Sequence, residues 1–194
     1  AIQAMLARSP ALRIGIVGLG AGSMAGYARA TDEVVYFEIS PKIIELAGHR
    51  GRAFQVIDSS PATIEIRQGD GRLLLDQELA SKKRGFDLLM IDAFAGGAIP
   101  AHLLTIEAFR TYMENVADDG LLVLQVSNHL PLCNQVGATQ RALELPVLFF
   151  QQEKGTIAED ENDRTIELEF PNQYMITAHS GEVMNALELP LQAM

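Results

Sequence analysis

The chain has 194 residues, 48% apolar and 21% charged, with a formal net charge of −10, which favours one soluble globular domain over residues 1–194. The acid excess argues against nucleic acid as the main partner, because phosphate neutralisation needs basic clusters. No apolar stretch approaches the roughly 20 residues of a membrane span. Cys133 is the single cysteine, so no internal disulfide is possible, and a reducing, cytoplasmic setting is expected. The first residues lack a basic segment followed by a long apolar one, which argues against a secretory signal. The chain begins at Ala1, not Met, so an upstream domain or anchor is left open.

Arg13–Val17 is a short apolar run that empties into a glycine-rich turn, the pattern of a buried strand. Ser23–Arg29 reads as a short helix and Val34–Phe37 as a second strand. Ser40-Pro41 supplies an N-cap and a proline at the first helical position, Ile43, Ile44 and Ala47 an apolar face, and Gly48 a stop. Residues 50–62 read as irregular, Ile64–Arg67 as strand three and Leu73–Leu79 as a helical patch. Asp87–Ile91 is strand four, continuously apolar from Leu88 as in a sheet covered on both faces. Ile106, Phe109, Met113 and Val116 fall at helical spacing, Asp118-Asp119-Gly120 predicts a turn, and Leu121–Val126 is strand five. A helix is expected over Gln135–Leu143, strand six over Val147–Phe150, and a solvated acidic loop over Glu153–Asp163. Ile166–Phe170 and Tyr174–Thr177 alternate around Pro171-Asn172 and predict a closing antiparallel pair.

Strands alternating with helices imply an α/β, doubly wound, mostly parallel sheet with helices on both faces. Ligands in such sheets bind beyond the carboxyl ends of the strands. The informative residues stand there: Gly18–Gly22, Glu38, Asp70 and Asp92.

Gly18, Gly20 and Gly22 remove Cβ atoms where the chain must turn and a ligand must approach. A dinucleotide G-x-G-x-x-G fails at Ser23, and no lysine follows to make a P-loop. The G-x-G-x-G form is more typical of sites for S-adenosylmethionine; tight strand–helix packing is the alternative. Glu38, twenty residues after Gly18, offers a two-oxygen acceptor to a ribose diol, or else serves as a surface carboxylate or helps to cap the helix at Ser40. Asp70, in Gly69-Asp70-Gly71, is either an acceptor for an adenine amine or a turn residue. Asp92 closes the most apolar strand; partial desolvation there should raise its pKa and suit it to accept a proton, the alternative being a cap held by backbone amides. His102 reads as a helix-entry residue ahead of Leu103–Phe109, and Asn128 as a residue beside the cleft. His49, His129 and His179 show no metal-ligand spacing with Cys133, so no metal is expected.

These residues resemble those of the spermidine synthases, within the class I S-adenosylmethionine methyltransferase fold, and in particular the bacterial spermidine-synthase-like proteins. The resemblance is carried by Ile16–Gly22, Tyr36–Pro41, Gly69–Gly71 and Phe86–Phe94, is extended by Ile99–Thr105 and Val126–Asn128, and covers about Arg13 to Asn128. It implies a Rossmann-like, seven-stranded sheet of the methyltransferase type with an antiparallel closing strand. It implies S-adenosylmethionine or its decarboxylated form as co-substrate, with no metal. It places Gly18, Gly20 and Gly22 beneath the nucleoside, Glu38 on the ribose hydroxyls, and Asp70, with Gly71 beside it, facing the adenine. Asp92 matches the aspartate that takes a proton from the attacking amine. A homodimer is a further expectation from the family.

The chain also departs from that pattern. The synthases' second loop aspartate corresponds to Ala95, a later glutamate to His102, and the acidic partner of the ribose-binding glutamate to Ser40. About a dozen residues precede the first strand here, where the synthases carry a β-domain. Three functions are therefore weighed: aminopropyl transfer to a small amine acceptor in polyamine biosynthesis, methyl transfer to another small acceptor with Ser23 as a donor to the amino-acid tail, and a non-catalytic nucleoside-binding module.

Overall fold

The computed structural model describes residues 5–7, 9–81, 85–94, 99–127, 132–151, 156–159, 165–167 and 173–192. Its strands are β1 (Arg13–Val17), β2 (Glu33–Glu38), β3 (Thr63–Gln68), β4 (Phe86–Ile91), β5 (Val116–Gln125), β6 (Val147–Gln151), β7 (Thr156–Glu159), β8 (Thr165–Glu167) and β9 (Gln173–Thr177). The helices are α1 (Pro41–Ala47), α2 (Val56–Ser59), α3 (Gly71–Ala80), α4 (Ile106–Asn115), α5 (Leu132–Ala142) and α6 (Gly181–Gln192), with short 3₁₀ turns at Ser23–Tyr27 and Ala101–Leu103. No helix among the described residues is long and apolar enough to cross a membrane.

Seven strands form one sheet in the order β3-β2-β1-β4-β5-β9-β6. The pairs from β3 through β5 are parallel, and β9 runs antiparallel to both β5 and β6. This is the expected doubly wound, mostly parallel sheet with one antiparallel closing strand. β1 and β4 are buried along their whole length, in keeping with the apolar runs Ile14–Val17 and Leu88–Ile91. Alternate residues enter two separate cores. Val17, Val35, Phe37, Leu89 and Ile91 pack with Leu75 of α3, Phe109 and Tyr112 of α4, and Val136 of α5. Ile14, Ile16, Val34, Tyr36, Leu88 and Met90 pack on the other face with Ala25, Ala47, Ile57 and Met184.

Several boundaries differ from expectation. Tyr174–Thr177 does not pair with Ile166–Phe170: β9 is inserted between β5 and β6, while β8 pairs with β7 in a separate two-stranded sheet. Alternation identifies a strand but carries no information about its partner. Residues 168–172, the rest of that expected strand and its Pro171-Asn172 turn, lie outside the described residues. The acidic segment expected as a loop contains β7. Val116 belongs to β5, not to the preceding helix, which ends where the Asn115 amide donates to Leu75 O at 3.1 Å and Thr111 O at 2.9 Å. Asp118-Asp119-Gly120 forms an irregularity inside β5, between the pairs Phe86↔Val116 and Leu88↔Leu121. Residues 50–62 contain α2.

Charge ties β1 and β3 to α3. The Arg13 guanidinium lies 4.2 Å over the Phe86 ring, and both Arg13 and Arg67 donate to the carboxylate of Glu78, which is 4% exposed. Burial pushes the Glu78 carboxyl up, but hydrogen bonds from Arg67 and Arg13 outweigh it and hold the group below the usual carboxylate range. A carboxyl with a depressed native pKa stabilises the fold above its unfolded pKa, and that contribution fades as pH falls through the native value. Glu78→Gln leaves two guanidinium groups short of a counter-charge and should cost about 3 kcal/mol or more at pH 7. Urea unfolding should show this loss shrinking as pH drops below about 4; an equal loss at both pH values would contradict the charge-based account.

Candidate functional site

The carboxyl ends of β1, β2, β3 and β4 open on a cleft of about 470 Å³. Gly18, Gly20, Glu38, Asp70, Gly71 and Asp92 all line it; Gly22 does not. Gly18 adopts φ +102°, and a Cβ there would run into the carbonyl oxygen of Asp92. The Asp92 amide donates to Val17 O at 2.9 Å, so this glycine permits the loops after β1 and β4 to leave the sheet side by side. Gly20 has φ +54° and nothing within 4 Å of an added Cβ: its lack of a side chain serves space, not packing. Gly22, at φ +76°, packs against Ile57, 2.9 Å from where its Cβ would be. Gly71 lines the cleft and also packs on Val17, where a Cβ would collide.

Glu38 ends β2 at 7% exposure. Its Oε2 accepts from Leu19 N at 2.8 Å and its Oε1 from Ser40 N at 2.7 Å. The carboxylate thus joins the glycine turn to the start of α1, and each oxygen keeps a lone pair for a further donor. Glu38 is thus not a surface carboxylate: it helps to hold the start of α1, and it borders the cleft. Ser40, in the place of the synthases' acidic partner, caps α1 by accepting from Ile43 N at 3.3 Å. Ser23 is exposed and is not part of the cleft lining.

Asp70 is the N-cap of α3, accepting from Leu73 N at 3.1 Å through Oδ1. Its Oδ2 lies 3.0 Å from His102 Nε2. His102 enters a 3₁₀ turn, as a helix-entry residue should, yet its ring also reaches across the cleft wall to Asp70. The Arg72 guanidinium donates to His102 O at 3.1 Å and steadies that turn.

Burial pushes the Asp92 carboxyl up to about 6. Gln125, the last residue of β5, faces it across the strand pair. With its amide nitrogen toward the carboxylate, the orientation the neighbouring donors and acceptors require, it donates to both Asp92 oxygens, at 3.2 Å to Oδ2. Such donation favours the ionised form and works against the rise caused by burial. Tyr174, paired with Gln125 in β9, has its phenol raised by burial first and by the Asp92 charge second. Gln125 went unread in the sequence, although a polar residue closing Leu121-Leu122-Val123-Leu124 is a visible signal. Ala95 and Asn128 lie outside the described residues, as does His129.

Glu38, Asp70, Asp92 and His102 are the ionisable side chains of the cleft among the described residues, and neither lysine nor arginine lines it there. Ile39 and Phe94 provide exposed apolar walls beside them. The arrangement suits a flat, partly apolar ligand that carries hydrogen-bond donors and positive charge.

No family model matches the chain. It is 26% identical over 184 residues to a polyamine aminopropyltransferase of Vibrio vulnificus, a match spanning 91% of this chain and 57% of that protein. Among solved structures, human methyltransferase-like protein 13, in complex with SAH, superposes with a TM-score of 0.67 at 18% identity, over 98% of this chain and 90% of that one. A probable spermidine synthase from Corynebacterium glutamicum superposes with a TM-score of 0.63 at 20% identity, over 92% of this chain and 61% of that one. The chain thus spans little more than half the length of the aminopropyltransferase it matches. With its strand order and its antiparallel β9, the chain shares the fold of these solved structures, and its sequence is similar to that of the aminopropyltransferase.

Proposed function

We propose that the chain binds S-adenosylmethionine or its decarboxylated form and transfers the aminopropyl group to a small amine, with Asp92 as the proton acceptor. The observation that carries this reading is the raised carboxyl of Asp92 at one end of a cleft whose other acceptors are Glu38 and Asp70. Glu38 would take the ribose hydroxyls, Asp70 the adenine amine, and Gly18, Gly20 and Gly71 would allow close approach of the nucleoside. Gly22 would act indirectly, by packing the end of the turn on Ile57.

The chemistry asks little of the protein. The amine nitrogen donates its lone pair to the carbon beside the sulfonium, the C–S bond breaks, and its electron pair leaves on a neutral thioether. The new ammonium loses one proton, for which ionised Asp92 is the acceptor. Orientation and this proton transfer supply the acceleration. Gln125 would hold the carboxylate in place.

Methyl transfer is the second reading, and the charge of the cleft separates the two. S-Adenosylmethionine carries a tail carboxylate that needs a cationic or donor partner; the described lining supplies three carboxylates and no lysine or arginine. This favours the decarboxylated form. Calorimetric titration with methylthioadenosine, S-adenosylmethionine and decarboxylated S-adenosylmethionine should show the decarboxylated form binding at least tenfold more tightly than the parent. Preference for the parent would move the assignment to methyl transfer.

Asp92→Asn should lower kcat for an amine acceptor by about 10²-fold or more while nucleoside affinity stays within a few-fold. In the wild-type enzyme, activity should rise with pH through about 6 as Asp92 ionises, and the variant should lack that limb. The same carboxyl has a stability signature. A native pKa above the unfolded value means that stability falls as pH rises from about 4 to 6. Asp92→Asn should therefore be more stable than wild type by about 1–2 kcal/mol at pH 7.5, with the gain absent below about pH 4. A variant no more stable than wild type at pH 7.5 would mean that the carboxylate is not desolvated.

A further inference from the structure

We infer, resting on the nucleoside site proposed above, that Tyr36 is a positioning residue: its phenol pins the far foot of the glycine turn and so keeps the apex set for a ligand. Tyr36 and Glu38 stand two residues apart on β2 and face the same side of the sheet. Three successive residues of this strand hold the turn. Tyr36 Oη donates to Gly22 O at 3.2 Å, Phe37 O accepts from Gly18 N at 2.8 Å, and Glu38 Oε2 accepts from Leu19 N at 2.8 Å. The near foot, at Gly18 and Leu19, thus has two ties to β2, and the far foot, at Gly22, has this one. Gly22 O also receives Ala25 N at 3.0 Å, and Gly22 N donates to Leu19 O at 2.8 Å, so the phenol joins a small network inside the turn. Gly20, between the feet, has open space around it and lines the cleft.

The tyrosine ring is 1% exposed and packs with Ala25, Ala47 and Ile57. Phenylalanine would fill that volume equally well. What the hydroxyl adds is the bond to Gly22. Burial holds the phenol well above its ordinary range, so it stays a donor. A turn fixed at both ends loses less freedom when a ligand settles on its apex, and the contribution appears as affinity.

The test is Tyr36→Phe, read by thermal unfolding, by nucleoside affinity and by amide hydrogen exchange of the ligand-free protein. One buried neutral hydrogen bond predicts methylthioadenosine binding about three- to tenfold weaker. Exchange should quicken at the amides of Gly22 and Ala25, while those within β1 and β2 keep their wild-type rates. Unchanged affinity with unchanged exchange would overturn the inference. So would faster exchange throughout β1 and β2, because the hydroxyl would then support the fold at large. If the wild-type protein binds no nucleoside, the proposed function fails, and exchange at Gly22 and Ala25 still decides whether Tyr36 holds the turn.

Discussion

The carboxylate of Glu38 is the constraint on which the site depends. Each of its oxygens is committed to a backbone amide, one in the turn after β1 and one at the start of α1. At 7% exposure, a carboxylate without such donors would be costly. Its two bonds draw the turn after β1 and the start of α1 to the same point, beside the cleft. A shorter side chain, or one without an acceptor oxygen, would leave the Leu19 amide without its partner and the turn with one tie fewer on the near side. The residue best placed to accept a ribose diol is therefore also the one that shapes the floor on which the nucleoside would lie.

Two charged clusters divide the work. Between β1, β3 and α3, Arg13 and Arg67 share the carboxylate of Glu78, with Glu33 and Glu65 as further partners, and the pairing holds Glu78 ionised. At the carboxyl ends, Asp92 is partly buried, no lysine or arginine stands among the described lining residues, and its pKa is pushed the other way. The first arrangement contributes stability and the second gives some up. Gln125 moderates that cost by donating to the carboxylate without adding charge.

Much of this was legible in the chain because ligand groups in doubly wound sheets follow the strands. Gly18, Gly20, Glu38, Asp70, Gly71 and Asp92 were each placed at a strand end by local pattern, and the fold gathers all six around one cleft. What sequence reasoning missed has a common cause: it depends on a partner distant along the chain. Gln125 meets Asp92 because β5 lies beside β4. His102 reaches Asp70, thirty-two residues away, across the cleft. β9 finds its place between β5 and β6, although its alternation says nothing of neighbours. Gly22 belongs to the glycine pattern by spacing, yet it serves packing on Ile57, thirty-five residues further along the chain.

The central claim is that a ribose lies against Glu38. The most direct measurement compares the affinity of methylthioadenosine with that of its 2′,3′-dideoxy counterpart, which lacks the diol and keeps the adenine and the sulfur. Two hydroxyls donating to a buried carboxylate predict at least tenfold weaker binding of the dideoxy compound. Equal affinities would mean that Glu38 holds the loops together and touches no ribose.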